Sequence, residues 1–269
     1  MSGPLGPPVS GPLGPVDSGG MPWSGRAPAS TGFDADTGAA DPRLVAALER
    51  SRAAPSADHD LELMELVTEA RWIVPVVAAP GETGEVAGRV VETRTEMAVV
   101  TLTAPDGQRA LPVFTGSAAL AAWDPVARPV PVTAARAAQA AVAEGCAVVV
   151  VDVAEEHACE LRPSMVWALA QDRDWLPAHR DPFVARSVSA ALEPEPDVVW
   201  HELGEGDTPG SGVLRVVLGL RPGLDQGGVE ALATRVGGRL ATDGELRARV
   251  DGLAFALAPA ERDAPQSVM

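Results

Sequence analysis

The chain contains no lysine, no asparagine and no tyrosine, and Ile73 is its sole isoleucine. These four residue types share AT-rich codons, while alanine, glycine, proline, arginine and valine abound. The pattern reads as the coding bias of a GC-rich genome, so the missing lysine carries no functional message. Basic charge is scarce: 21 arginines stand against 37 acids, a net charge of −16. Neutralising nucleic-acid phosphates needs a basic face, so a nucleic-acid partner is not expected. An anionic membrane surface is disfavoured for the same reason. No apolar run approaches the ~20 residues that span a bilayer; the longest candidate, Cys146 to Val151, has strand length. The N-terminus lacks a basic segment followed by an apolar one, so no secretory signal is expected. Two cysteines, Cys146 and Cys159, make no disulfide framework, and a reducing, cytoplasmic setting follows as the expectation.

What is present suits a globular protein of roughly two domains, about 100–150 residues each, plus tails. Residues 1–40 are rich in Gly, Pro and Ser and repeat Ser2-Gly-Pro-Leu-Gly-Pro7 as Ser10-Gly-Pro-Leu-Gly-Pro15. Such a segment buries too little apolar surface to offset its ordering entropy and reads as a disordered tail. Met21 is a second candidate start. A first domain is expected over 41–192, an extended acidic hinge at 193–196 (Glu-Pro-Glu-Pro), a small second domain over 197–260 and a tail over 261–269. The fold class expected is α/β (α+β): a mixed sheet with flanking helices, then a small α+β unit.

Asp41-Pro42 opens a helix as cap and first residue. A second helix runs from about Asp60 to Ala70, Trp72–Ala79 reads as a strand, and Glu85–Glu92 as a weaker one. Asp106-Gly107 is a two-residue hairpin signal that sets Leu102 opposite Leu111, Val100 opposite Val113 and Val99 opposite Phe114. Apolar residues on both faces of this hairpin imply cover on both sides. Ser117 caps a helix over 118–123. Thr133 caps another, which ends at Gly145. Cys146–Val151 and His157–Leu161 read as partner strands, Pro163–Gln171 and 182–192 as helices. Pro75, Pro112 and Pro131 each remove a ladder donor and belong at edges or strand ends. In the second domain a hairpin (197–203 and 213–220) precedes a helix from Asp225 that Gly237 ends. Residues 242–250 fit helix or strand, and Leu253–Leu257 form a closing strand.

The stretch Met97–Thr101, Asp106-Gly107, Ala110-Leu-Pro-Val-Phe-Thr115, Leu120-Ala-Ala-Trp-Asp-Pro125, Arg128-Pro-Val-Pro-Val132, Arg162-Pro163 and Val166-Trp167-Ala-Leu-Ala-Gln171 resembles the SseB family, named for enhanced serine sensitivity. The likeness covers 43–187; residues 197–259 resemble the family's C-terminal domain in less distinctive text. The resemblance implies an α/β domain of unassigned molecular function with no catalytic residues to carry over. The codon bias points to an actinobacterial source.

Candidate chemistry is thin. Cys146 follows a helix C-terminus, where the dipole disfavours a thiolate, and reads as a structural cysteine. His157 and Cys159 alternate on one strand, yet with Cys146 they lack the paired spacing of a zinc site, and no metal is expected. In a hairpin turning at 153–156, Cys159 faces about residue 150. Cys146 then lies on the order of 13 Å away, beyond disulfide reach. Asp152, Glu155 and Glu156 read as a solvated acidic turn. The glycine clusters at 81–84, 204–206 and 223–228 lack a phosphate-loop pattern, so no cofactor is expected. Trp72, Trp123 and Trp167 read as core. Trp175, in a polar loop, is the candidate exposed contact with a partner. The reading that follows is a non-enzymatic interaction or regulatory protein, binding an unidentified protein or itself. The alternative is a thiol-dependent enzyme or sensor in sulfur or serine metabolism, using Cys146 or Cys159. A third is a small molecule bound between the domains.

Overall fold

The helix starts follow from their caps. In the computed structural model, which describes Phe33 and residues 36–79, 83–86, 89–92 and 96–261, Asp41 accepts from the Arg43 backbone and opens α1 (Pro42–Ala53). Ser56 does the same for α2 (Ala57–Glu69) through His59 N–H, so α2 begins three residues before the sequence expectation. The disorder and alternative start expected of the first 32 residues, and the tail beyond 261, lie outside the described residues. The end of the expected tail is anchored: Gly38 and Ala39 carbonyls accept from Ser117 N–H and the Arg71 guanidinium at 2.8 Å each.

The fold is α+β. One antiparallel sheet has the order β4-β1-β7, with β1 (Arg71–Ala79) between β4 (Glu96–Val99) and β7 (Arg128–Thr133). A mixed sheet has the order β5-β6-β8-β9: β5 (Leu102–Thr103), β6 (Arg109–Val113), β8 (Val148–Val151) and β9 (Cys159–Leu161). An Ile73–Phe114 bridge couples the two sheets. β6 and β8 are parallel, and the crossover between them contains α3 (Ser117–Trp123), β7 and α4 (Ala134–Ala143). Residues 83–92 are not one strand but an antiparallel pair, β2 (Thr83–Val86) and β3 (Arg89–Glu92).

Alternation along β1 sorts two cores. Trp72 and Val74 join Leu48, Leu63, Leu111 and Met165 under α1, α2, α4 and α5 (Pro163–Ala170). Ile73 joins Phe114, Leu120 and Trp123 on the other face. Both faces are covered, which is why these strands lack a clean polar alternation.

The hairpin register differs from the two-residue expectation. Leu102 faces Ala110 and Thr103 faces Arg109, because Ala104 and Gln108 close a three-residue loop with Gly107 at φ +87°. A left-handed glycine in the third loop position is the favoured three-residue geometry. The one-residue slip turns side chains to the opposite face. β4 then leaves the hairpin altogether, and Val99 faces Val76 of β1.

Three further expectations change for local reasons. α3 starts at Ser117 itself; its cap position is Gly116, without a side-chain bond. Pro75 lies on the central strand β1, not an edge: it sits where β1 passes from pairing with β4 to bridging Phe114, and there no ladder donor is required. His157 falls in the turn before β9, which begins at Cys159.

From Thr37 onward the described residues belong to one compact unit. A short 3-10 turn (Ala178–Arg180) and α6 (Pro182–Leu192) lead to a further three-stranded sheet, β10-β11-β12: β10 (Val198–Glu205), β11 (Val213–Leu220) and β12 (Gly252–Pro259). β11 and β12 are parallel, joined through α7 (Gln226–Thr242) and α8 (Gly244–Arg249). α7 runs through Gly237-Gly238 because Leu232, Val236 and Leu240 keep a buried stripe across them; packing overrides the glycine penalty. Asp243, itself extended, caps α8, so of the two readings of 242–250 the helix holds, over Gly244–Arg249. Val184, Val188 and Leu192 of α6 lie in the same core as Val216, Leu218 and Val236. The acidic 193–196 segment is a turn, not extended. Glu195 within it is buried against Arg235 and Arg239 of α7.

Candidate functional site

Adjacent parallel strands bring their C-terminal ends together, the place where open α/β sheets commonly bind ligands. Here the ends of β6 and β8 place Thr115 beside Asp152. Asp152 is fully buried and holds φ +48°, a left-handed conformation that Asp tolerates better than most residues. Its Oδ1 accepts from Thr115 N–H at 2.9 Å, and its Oδ2 accepts from Thr115 Oγ1 at 2.7 Å and His157 Nε2 at 2.9 Å. The acid read from sequence as part of a solvated turn is thus a saturated interior carboxylate. Its donors come from both sides of the crossover and close the turn.

A second cluster joins α2, α5 and the β10-β11-β12 sheet through Arg162, the arginine of the Arg162-Pro163 step. Its Nη2 donates to Asp60 Oδ2 at 2.9 Å, its Nε to Asp251 Oδ2 at 3.0 Å and its Nη1 to the Gly210 carbonyl at 2.8 Å. Asp251 also accepts from Ser164 N–H and Oγ, each at 2.8 Å. A Cβ at Gly212, itself at φ +74°, would run into Asp251 and Arg162. Burial pushes the Asp60 carboxyl above its ordinary pKa despite the charge of Arg162. At Arg162 burial acts against the charge, but Asp60 and Asp251 outweigh it and hold the guanidinium above its ordinary value.

Trp175 belongs to this cluster. It is half-buried, with its indole N–H given to Ser164 Oγ at 3.0 Å and Arg162 over its ring at 5.7 Å. The cavity it lines between the two cores measures about 20 Å³, room for one water. Arg249 closes the next turn of contacts, donating to Asp181 at 2.7 Å and Glu245 at 2.6 Å and lying over Trp167 and Phe183.

The thiols stay apart from one another. Both cysteines are free. Cys159 faces Val151 across the β8–β9 ladder, one residue from the expected register. Burial, then the charge of Asp60, pushes its thiol up to about 11. Cys146 follows α4 through a Schellman turn, Cys146 N–H to Ala141 and Gly145 N–H to Val142. Its pKa is raised by burial and by Glu144, against the charge of Arg109. His157 serves Asp152 rather than Cys159. Among the described residues no three His, Cys, Asp or Glu side chains are grouped to hold a metal ion.

The roomier hollows are apolar. One, about 330 Å³, lies between α4 and α5 with Val142, Cys146, Val166 and Trp167 in its walls. The other, about 300 Å³, lies between α7, α8 and β12, walled by Leu240, Leu246, Val250 and Leu253. Among the described residues no helix is long and apolar enough to cross a membrane.

Sequence reasoning did not single out Asp60, Arg162, Glu195 or Asp251 as structural charges. Arg162 carried a signal in the Arg-Pro helix start, but its partners lie 102 residues before and 89 residues after it.

The architecture defines an α+β protein with an antiparallel and a mixed sheet joined at the Ile73–Phe114 bridge, apolar cores on both faces of β1, and a helix-backed three-stranded sheet after them. Residues 44–168 match the family model described as SseB protein N-terminal domain. That segment spans α1 to the body of α5 and includes Asp152, Thr115, His157, Asp60 and Arg162. No curated protein and no solved structure matches the chain.

Proposed function

We propose that this is a non-enzymatic, cytoplasmic interaction protein that binds another protein through the apolar groove between α4 and α5. One contrast carries the reading: the clusters centred on Asp152, Arg162 and Glu195 spend their hydrogen-bonding capacity on one another, while the open hollows are apolar. Open apolar grooves suit protein or peptide contact. The α4–α5 groove lies almost wholly in the segment matching the SseB N-terminal domain, and Val142 at its rim is 58% exposed. Residues 197–259 fit the role of that family's C-terminal domain, and the coding bias an actinobacterial source.

Val142→Glu places a charge on an exposed helix position, where the folding cost is about 0.5 kcal/mol or less. Partners captured from extract by the full-length chain should be lost with this variant while its melting curve is unchanged. Capture indifferent to Val142→Glu would sink the reading.

The thiol-dependent alternative rests on Cys146, whose side chain reaches the same groove near Arg109. Rapid stoichiometric alkylation of Cys146 in native protein would favour it. Alkylation of both thiols only after denaturation would count against it.

A further inference from the structure

Edge strands of soluble proteins are kept from pairing by charge, proline or shortness. Among the described residues the edges of β5, β7, β9 and β10 follow that rule and that of β12 does not. β7 carries Arg128 with Pro129 and Pro131, β9 carries Glu160, β10 carries Glu202 and Glu205, and β5 has two residues. β12 is eight residues long, has no charge, and has its single proline at the last position. Among the described residues nothing pairs with its outer edge.

The helical cover also stops short of β12. Leu214 and Leu218 of β11 are buried beneath the helices. Their lateral neighbours on the same face, Leu253 and Leu257, are 41% and 53% exposed. In a chain of net charge −16, copies repel except along an uncharged surface. The strand's core, Leu253-Ala-Phe-Ala-Leu257, reads the same in both directions.

We infer that the protein forms a two-fold dimer by antiparallel pairing of β12 with β12 of a second copy, centred on Phe255. A two-fold axis demands a self-complementary surface, and this palindrome supplies one. Leu253 meets Leu257 of the partner copy twice, and Ala254 meets Ala256 twice, where small side chains leave room. The two sheets become one of six strands, and each copy covers the leucines that the other's helices leave open. This goes beyond the groove reading: self-association uses a surface separate from the α4–α5 groove and does not depend on it.

Sedimentation velocity of the full-length chain across a concentration series tests it. Wild type should be dimeric. Leu253→Arg and Leu257→Glu should each weaken the dimer roughly 100-fold, because the two-fold axis loses two contacts at once, with the circular dichroism spectrum unchanged. The double variant L253R/L257E places opposite charges face to face and should restore the dimer. A monomeric wild type, a dimer untouched by the single changes, or a double variant that stays monomeric would each overturn the inference. A monomer that still loses its captured partner on Val142→Glu would remove β12 pairing and leave the groove reading standing.

Discussion

Arg162 Nε donates to Asp251 Oδ2 across 3.0 Å, linking residues 89 positions apart. The same guanidinium reaches Asp60, 102 positions away. One arginine therefore ties α2 and α5 to the entry of β12. Removing one member of a buried ion cluster leaves the remaining charges unpaired in the interior.

Arg162→Leu should destabilise the fold by about 3–5 kcal/mol. Arg162→Lys should recover only part of this, since an ammonium on a flexible stem does not reproduce three donors in a fixed plane. Urea denaturation of the three proteins checks both statements. Equal stability of the leucine variant and wild type would show that Asp60 and Asp251 find other partners.

Asp152→Ala should cost about 2–4 kcal/mol. It strands Thr115 N–H and hydroxyl in the interior, each unmade bond costing about 1–3 kcal/mol with partial relaxation. Thr115→Val removes the hydroxyl but keeps the backbone donor and should cost less. Thermal unfolding orders the two variants, and the reverse order would contradict the paired Thr115–Asp152 bonds at the β6 and β8 ends.

Glu195 is held to about 2, below its ordinary 4.5, first by the hydrogen bond from Arg235 and then, against burial, by Arg239. A carboxylate with a depressed folded pKa contributes stability fully above the unfolded value, lost as pH falls through the folded one. The contribution should therefore be intact above about pH 4.5 and fade toward pH 2. Because Arg235 and Arg239 are partly exposed and screened, it should amount to about 1–2 kcal/mol. Glu195→Gln should flatten that part of the stability–pH curve measured by denaturant unfolding, leaving the rest in place.

Gly238 lies inside α7, and an added Cβ would meet nothing within 4 Å. Gly238→Ala should raise stability by about 0.5–1 kcal/mol through helix propensity alone. A fall in the melting temperature would mean that α7 depends on glycine in a way its geometry does not show.

Much of the local structure was legible because local rules govern it. Asp41-Pro42, Thr133 and Asp181-Pro182 announce helices through capping, and Gly145 ends one through its left-handed φ of +67°. The paired apolar faces around Leu111 and Phe114 announced a sheet covered on both sides. Register was less legible: Asp106-Gly107 fits a two- or a three-residue loop, and the choice between them decides which face each side chain takes. Gly237 looked like a helix end because propensity disfavours it, while the stripe from Leu232 to Leu240 carried the helix onward.

By itself the sequence determined the α+β class, several helix caps, most strand positions and the net acidic charge, since all of these follow from composition and short-range pattern. Only the tertiary structure decided which acids are interior. Asp60, Asp152, Glu195 and Asp251 look like any of the other carboxylates along the chain, and their burial is set by arginines, histidine and backbone donors brought from distant segments. Burial and partner choice belong to chain topology, and a carboxylate's chemistry depends on both.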